Sequence, residues 1–178
     1  MIEVRIHGRK GQGVLGIAEL LAIAASMAGR RAQVTPGFGA GGETVASCRL
    51  GDPGKHDVNA LVVAEADLLD HALDGLPEDS YLLVNSGQRI DNLGLPPLVL
   101  RPERAITVPG TEIARKFTGQ PAPDVALAGG FAALTGVVSL DSVLAAVRQR
   151  YPGRAGAAAM ATFGIVRTEI EDLRPCRM

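Results

Sequence analysis

The chain has 178 residues, a formal net charge of −1, 47% hydrophobic and 21% charged residues, and only 3% aromatics with no Trp. A chain this apolar and this close to neutral is expected to fold as one domain over 1–178, long enough to bury a real core, rather than to stay disordered. With no basic stripe and few aromatic stacking platforms, the composition argues against a nucleic-acid partner.

The chain opens on alternation. Ile2, Val4 and Ile6 interleave with Glu3, Arg5 and His7, which predicts a half-buried strand. Gly8-Arg9-Lys10-Gly11-Gln12-Gly13 follows as a glycine-rich loop, and Val14 to Ala28 reads as a helix, apolar nearly all round, with Gly29 as its C-terminal stop. This longest apolar stretch, Val14 to Gly29, contains Glu19 and is short for a bilayer crossing. The N-terminus shows no signal-peptide pattern, so no membrane association is expected and the cytoplasm is the expected location.

Ala32 to Pro36 predicts a short strand, Gly37 to Gly42 a flexible loop around Phe38 and Gly39, and Thr44 to Leu50 a strand that would form a hairpin-like or edge arrangement. A turn over 51–56 leads to Asn59-Ala60-Leu61-Val62-Val63-Ala64, a continuous apolar run of the kind buried on both faces of a central strand. Ala66 to Leu73 predicts a short helix, and Tyr81–Asn85, Pro97–Leu100 and Ala105–Pro109 predict further strands. The remainder is helical: Thr111 as cap of a helix through Phe117, then Val125–Val138, then a helix capped by Ser139, then Ala155–Leu173. Leu140, Val143, Leu144 and Val147 make the i, i+3, i+4, i+7 stripe of the third of these. Gly129, Gly130 and Gly136 each cost a helix about 1 kcal/mol relative to Ala, so a close backbone neighbour is expected there as compensation. Together these elements predict an α/β fold: a Rossmann-like layered arrangement with a mostly parallel or mixed sheet flanked by helices.

The spacing Gly8-x-x-Gly11-x-Gly13 is neither the dinucleotide fingerprint nor a P-loop. Glycines at a strand-to-helix turn still leave main-chain amides unobstructed at a helix start, and Arg9 and Lys10 add two cations, so a phosphate or pyrophosphate is one guest. A tight structural turn, with the cations solvated or facing another chain, is the other reading. The acidic residue expected about 20 residues later in NAD folds is missing, and Arg30-Arg31 stand where they can answer the helix dipole. The two cysteines, Cys48 and Cys176, are far apart and are expected to be free thiols; they cannot hold an iron–sulfur cluster alone. His7, His56 and His71 stand alone in sequence, and of these His7 abuts the glycine loop.

Four stretches in order resemble the γ subunit of the pyruvate and 2-oxoacid:ferredoxin oxidoreductases. They are Ile6-His7-Gly8-Arg9-Lys10-Gly11-Gln12-Gly13 with Ala18-Glu19-Leu20-Leu21-Ala22; Pro36-Gly37-Phe38-Gly39; Val108-Pro109-Gly110-Thr111-Glu112-Ile113-Ala114; and Ala126 to Val138. Lys10 replaces a family glycine, the stretch after Phe38-Gly39 is shortened to Ala40-Gly41-Gly42-Glu43, and Gln120 and Asp124 stand where asparagines are common. The resemblance implies a subunit of a complex that oxidatively decarboxylates a 2-oxoacid to an acyl-coenzyme A. That complex would use thiamine diphosphate, Mg, iron–sulfur clusters and coenzyme A, none held by this chain alone. Implied partners are larger thiamine-binding α and β subunits and an iron–sulfur subunit, with a flavin/NAD subunit as an alternative acceptor module. Gly8, Arg9, Lys10, Gly11, Gln12, Gly13, Phe38 and Gly39 are then the positions expected to meet coenzyme or partner, and no catalytic residue or metal ligand is assigned to the chain. Competing readings are an assembly subunit without ligand contacts and a free-standing Rossmann-type nucleotide-binding oxidoreductase.

Overall fold

The computed structural model describes residues 1–54, 58–95 and 100–174. The strand expected over 97–100 falls, Leu100 apart, outside this set, as do His56, Pro175 and Cys176. The elements run β1 (Ile2–Arg9), α1 (Val14–Met27), β2 (Ala32–Phe38), β3 (Glu43–Leu50), β4 (Val58–Val63), α2 (Leu69–Ala72), β5 (Tyr81–Asn85), β6 (Ala105–Val108), α3 (Gly110–Thr118), α4 (Asp124–Thr135), α5 (Leu140–Arg150) and α6 (Gly156–Leu173).

Six strands form one mixed sheet in the order β2-β3-β1-β4-β5-β6. β1, β4, β5 and β6 are parallel, as the buried apolar runs and intervening helices require. The β2–β3 hairpin is antiparallel and joins the sheet through an antiparallel β3–β1 ladder. The expected α/β class with a mixed sheet and flanking helices therefore holds. The hairpin is longer than expected: Gly37 and Phe38 belong to β2, paired with Val45 and Thr44. Pro36, which cannot donate to a ladder, sits on this outermost strand, where it costs least.

Strand alternation divides the core in two. Ile2, Val4, Ile6, Ala46, Cys48, Leu50, Ala60, Val62, Leu83 and Ile106 face a large cluster shared with α1, α4, α5 and α6. Leu61, Val63, Leu82, Val84 and Ala105 face the opposite side, with Leu68, Leu69 and Ala72 from the α2 segment. On that second side the β1–β3 region carries Glu3, Arg5, His7 and Glu43 in place of aliphatic residues. Arg5 there reaches the end of α2 through the Ala72 carbonyl at 3.4 Å.

The helices sit close to their expected positions, with informative differences. α1 stops at Met27, and Gly29 at φ 73 forms the left-handed exit, with the Arg30 amide returning to the Ala25 carbonyl at 3.0 Å. Ser139 caps α5, its hydroxyl accepting from the Ser142 amide at 3.1 Å. Thr111 is not a cap. α3 starts one residue earlier at Gly110, and Thr111 is bonded to Asn85 at the end of β5. α4 ends at Thr135 because Gly136 turns left-handed. The compensation expected for Gly129 is present: a Cβ there would lie 2.6 Å from Ala159 Cα, so α4 and α6 meet backbone to backbone. The Thr162 hydroxyl donates to the Ala126 carbonyl across the same seam at 2.6 Å. Among the described residues no helix is long and apolar enough to cross a membrane.

Candidate functional site at the carboxyl ends of the parallel strands

After β1 the chain leaves through α1 to the hairpin on one side, and returns to β4 on the other. The carboxyl ends of β1 and β4 therefore flank the point where strand order reverses, the position at which open α/β sheets take ligands. The glycine loop lies there. Its residues divide into two groups.

Gly8, Gln12 and Gly13 make contacts within the fold. Gly8 lies within β1 rather than in the loop and is buried, because a Cβ there would meet Val14 Cγ2 at 2.6 Å and Ala64 Cβ at 3.1 Å. Gln12 closes the gap between the strands: its Oε1 accepts from the Arg9 amide at 2.7 Å, and its Nε2 donates to Glu65 Oε2 at 2.6 Å. Gly13, at φ 69, opens α1 and lies against Asp124, whose Cβ is 2.7 Å from where a Gly13 Cβ would be. The Asp124 carboxylate thus occupies the space beside the first turn of α1, where the helix dipole favours negative charge. The Tyr151 hydroxyl donates to its Oδ2, and the Val125 amide to its Oδ1 at 2.9 Å. Burial first, and then the Asp124 carboxylate, push the Tyr151 phenol upward, keeping it a proton donor.

Arg9, Lys10, Gly11 and Phe38 form the outward group. All four are exposed, and the two cations have no hydrogen-bond or ion-pair partner for their side chains among the described residues. Phe38 is 92% exposed. Gly8, Thr44 and Phe38 lie in one row across β1, β3 and β2. Phe38 is therefore two strand spacings, about 10 Å, from the start of the cationic loop. Gly39 is tied to the second side of the sheet, since a Cβ there would meet Glu43 Cδ at 2.8 Å. Arg30 does not stay near the α1 dipole alone; it donates to the Val137 carbonyl at 2.9 Å.

One grouping was not visible in the sequence. Glu43, 5% exposed, is held between two imidazoles: His7 Nδ1 lies 2.5 Å from its Oε1 and His71 Nε2 2.9 Å from its Oε2. Burial pushes the Glu43 carboxyl upward, yet the hydrogen bonds and charge of His7 and His71 outweigh it and hold the group below its ordinary range. As an ionised acceptor, the carboxylate receives an N–H from each ring. His7 comes from β1, Glu43 from β3 and His71 from α2, at sequence separations of 36 and 28 residues, so no local spacing announces the set. Asn85, at the end of β5, forms a separate polar junction, donating to the Ala64 carbonyl at 3.0 Å and to Thr111 Oγ1 at 2.8 Å, which fixes the start of α3.

A mixed sheet with a glycine-opened helix at its strand-order reversal, outward cations and an outward aromatic defines an α/β domain with an exposed corner at the carboxyl ends of its strands. Residues 3–166 match the family model described as pyruvate ferredoxin/flavodoxin oxidoreductase, and the chain belongs to that family. It is 32% identical over 88% of its length to the pyruvate synthase subunit PorC of Methanothermobacter marburgensis, covering 90% of that protein. It is 33% identical, with the same coverages, to the pyruvate/ketoisovalerate oxidoreductases common subunit gamma of Pyrococcus furiosus. In fold it matches the keto/oxoacid ferredoxin oxidoreductase gamma subunit of Geobacter sulfurreducens with a TM-score of 0.75 at 25% identity, over 97% of this chain and 99% of that one.

Proposed function

We propose that this chain is the γ subunit of a thiamine-diphosphate-dependent 2-oxoacid:acceptor oxidoreductase, and that the Arg9–Lys10–Phe38 corner is its contact with the larger subunits and with coenzyme A. The observation that carries the reading is the outward corner itself. An aromatic ring 92% exposed at a strand end, in register with the end of β1 where Arg9 and the following Lys10 have no partner among the described residues, suits a surface that becomes covered. The cations match the phosphates of coenzyme A or acidic groups on a neighbour.

The chemistry of decarboxylation and electron transfer is assigned to other subunits. With two cysteines, this chain cannot bind a four-thiolate cluster alone. Its own contribution is positional: Gln12, Gly13 and Asp124 hold the strand-to-helix turn rigid, so the cationic tip is presented in a fixed place. The Pyrococcus furiosus relative is named as common to pyruvate and ketoisovalerate oxidoreductases. That supports placing the choice of 2-oxoacid outside the γ chain.

The test is made in the assembled complex. Arg9→Glu with Lys10→Glu, and separately Phe38→Ala, are followed by native mass spectrometry and by turnover at varied coenzyme A. The charge reversal is expected to raise the coenzyme A Michaelis constant at least tenfold, and Phe38→Ala to weaken assembly. Loss of assembly with unchanged coenzyme A dependence in both variants would leave the assembly-only role. An intact complex with wild-type kinetics in both would overturn the reading.

A further inference from the structure

We propose that His7, Glu43 and His71 form a binding site for a divalent transition-metal ion of the zinc class. Two imidazoles and a carboxylate are the donor set such ions prefer, with hard calcium and magnesium disfavoured by the nitrogen ligands. The three ligand atoms, one from each residue, all lie within 4.8 Å of one another. They come from three different elements, so the fold, rather than a chance run of side chains, brings them together.

The environment of the set points to a ligand. His7 is 9% exposed and Glu43 5%, on the sheet face where β1 also carries Glu3 and Arg5 and where β4 and β5 carry Leu61, Val63, Leu82 and Val84. Taking a carboxylate out of water there is costly unless it is strongly compensated. Both Glu43 oxygens are turned onto the two imidazoles, and Gly39 is what lets the carboxylate lie in that position. His7 Nε2 is buried with no hydrogen-bond partner, so the polar engagement of this ring is concentrated at Nδ1, on the Glu43 side. The His71 side chain is 53% exposed, which leaves an approach for the ion and a place for water as a fourth ligand.

The three ligand atoms, now within 4.8 Å of one another, must draw to a common spacing. Ligand atoms around a tetrahedral ion with bonds near 2.0–2.1 Å stand about 3.3 Å apart. The His7–Glu43 contact of 2.5 Å must open by about 0.8 Å, and the 2.9 Å His71–Glu43 contact by less. His71, on the four-residue α2 and largely in solvent, can move without disturbing the sheet. The ion takes the place of the ring N–H groups now turned onto the carboxylate; a neutral imidazole that ligates through one nitrogen carries its single proton on the other, so the exchange needs no net proton transfer.

The test uses the full-length, untagged chain, stripped with chelator and titrated with zinc chloride by calorimetry in two buffers of different ionisation enthalpy. One ion per chain is expected in both buffers. His71→Ala, at an exposed position, is expected to stay folded and to bind at least tenfold more weakly. Glu43→Gln is expected to abolish binding. Because the buried Glu43 variant can fail to fold, cobalt(II) is used as a second probe. Visible absorption typical of a four-coordinate nitrogen/oxygen site is expected in the wild type and is lost in His71→Ala. No stoichiometric zinc binding by the wild type, or equal affinity in folded His71→Ala, would overturn the proposal.

Discussion

At the scale of single residues, the buried polar groups are the sensitive points. Cys48 is fully buried on the large-cluster side of β3, and burial pushes its thiol from an ordinary 9.0 up to about 12. The folded chain therefore keeps a proton that the unfolded chain gives up between those values. Stability is unaffected below about pH 9 and falls as pH climbs toward 12, by at most ~1.4 kcal/mol per pH unit. Native chain treated with iodoacetamide at pH 8 is expected to show no adduct at Cys48 by peptide mapping until denaturant is added. Tyr151 poses a different case, a half-buried donor whose acceptor, Asp124, is buried. Tyr151→Phe leaves Asp124 Oδ2 without that hydroxyl, at a cost of about 1–3 kcal/mol. Urea unfolding is expected to show this as a lower midpoint at unchanged slope.

At the scale of elements, the α4–α6 seam is set by a single hydrogen atom in place of a methyl. Gly129→Ala drives a Cβ into the Ala159 backbone, which cannot swing aside as a side chain would. A loss of about 1–3 kcal/mol is expected on thermal or urea unfolding. Gly164→Ala in α6 is the internal control: nothing lies within 4 Å of its Cβ position, so it is expected to stabilise the isolated chain by about 0.5–1 kcal/mol. This seam was legible in the sequence, since three glycines in one apolar helix ask for a close neighbour. So were β1, α1 and the parallel core strands, whose alternation and apolar runs are strong local signals. The start of α3 was not. Thr111 has the chemistry of a cap, but Asn85 from β5 claims it, and that competition is set by tertiary contact. The carboxyl-end corner was half legible. Glycine spacing located the turn, but not that Gln12 would be spent on Glu65 or that Asp124 would sit against Gly13. The His7–Glu43–His71 set was not legible, because pairing register and a helix placement had to be known first.

At the scale of the whole molecule, the packed core and the proposed contact corner lie in different places. The packed helices α1, α4, α5 and α6 lie on one face, whereas the outward groups lie at the strand ends and along α6. There Met160 and Ile165 are exposed on the wall of an open groove of about 860 Å³ that also contains Arg89 and Glu169. Phe38→Ala and the Arg9/Lys10 charge reversal are therefore expected to leave the melting temperature of the isolated chain unchanged while altering the complex. Differential scanning calorimetry of the free subunit, beside native mass spectrometry of the assembly, checks that separation. The hairpin shapes what kind of neighbour the subunit tolerates. β2 stands at one end of the described strand order, and its free rim is interrupted at Pro36, which offers no amide. Gln33 and Thr35, which precede it in β2, are exposed and polar. A foreign strand laid along that rim would find the ladder broken in its middle. A neighbour that meets this rim is thereby steered to grip side chains instead of extending the sheet.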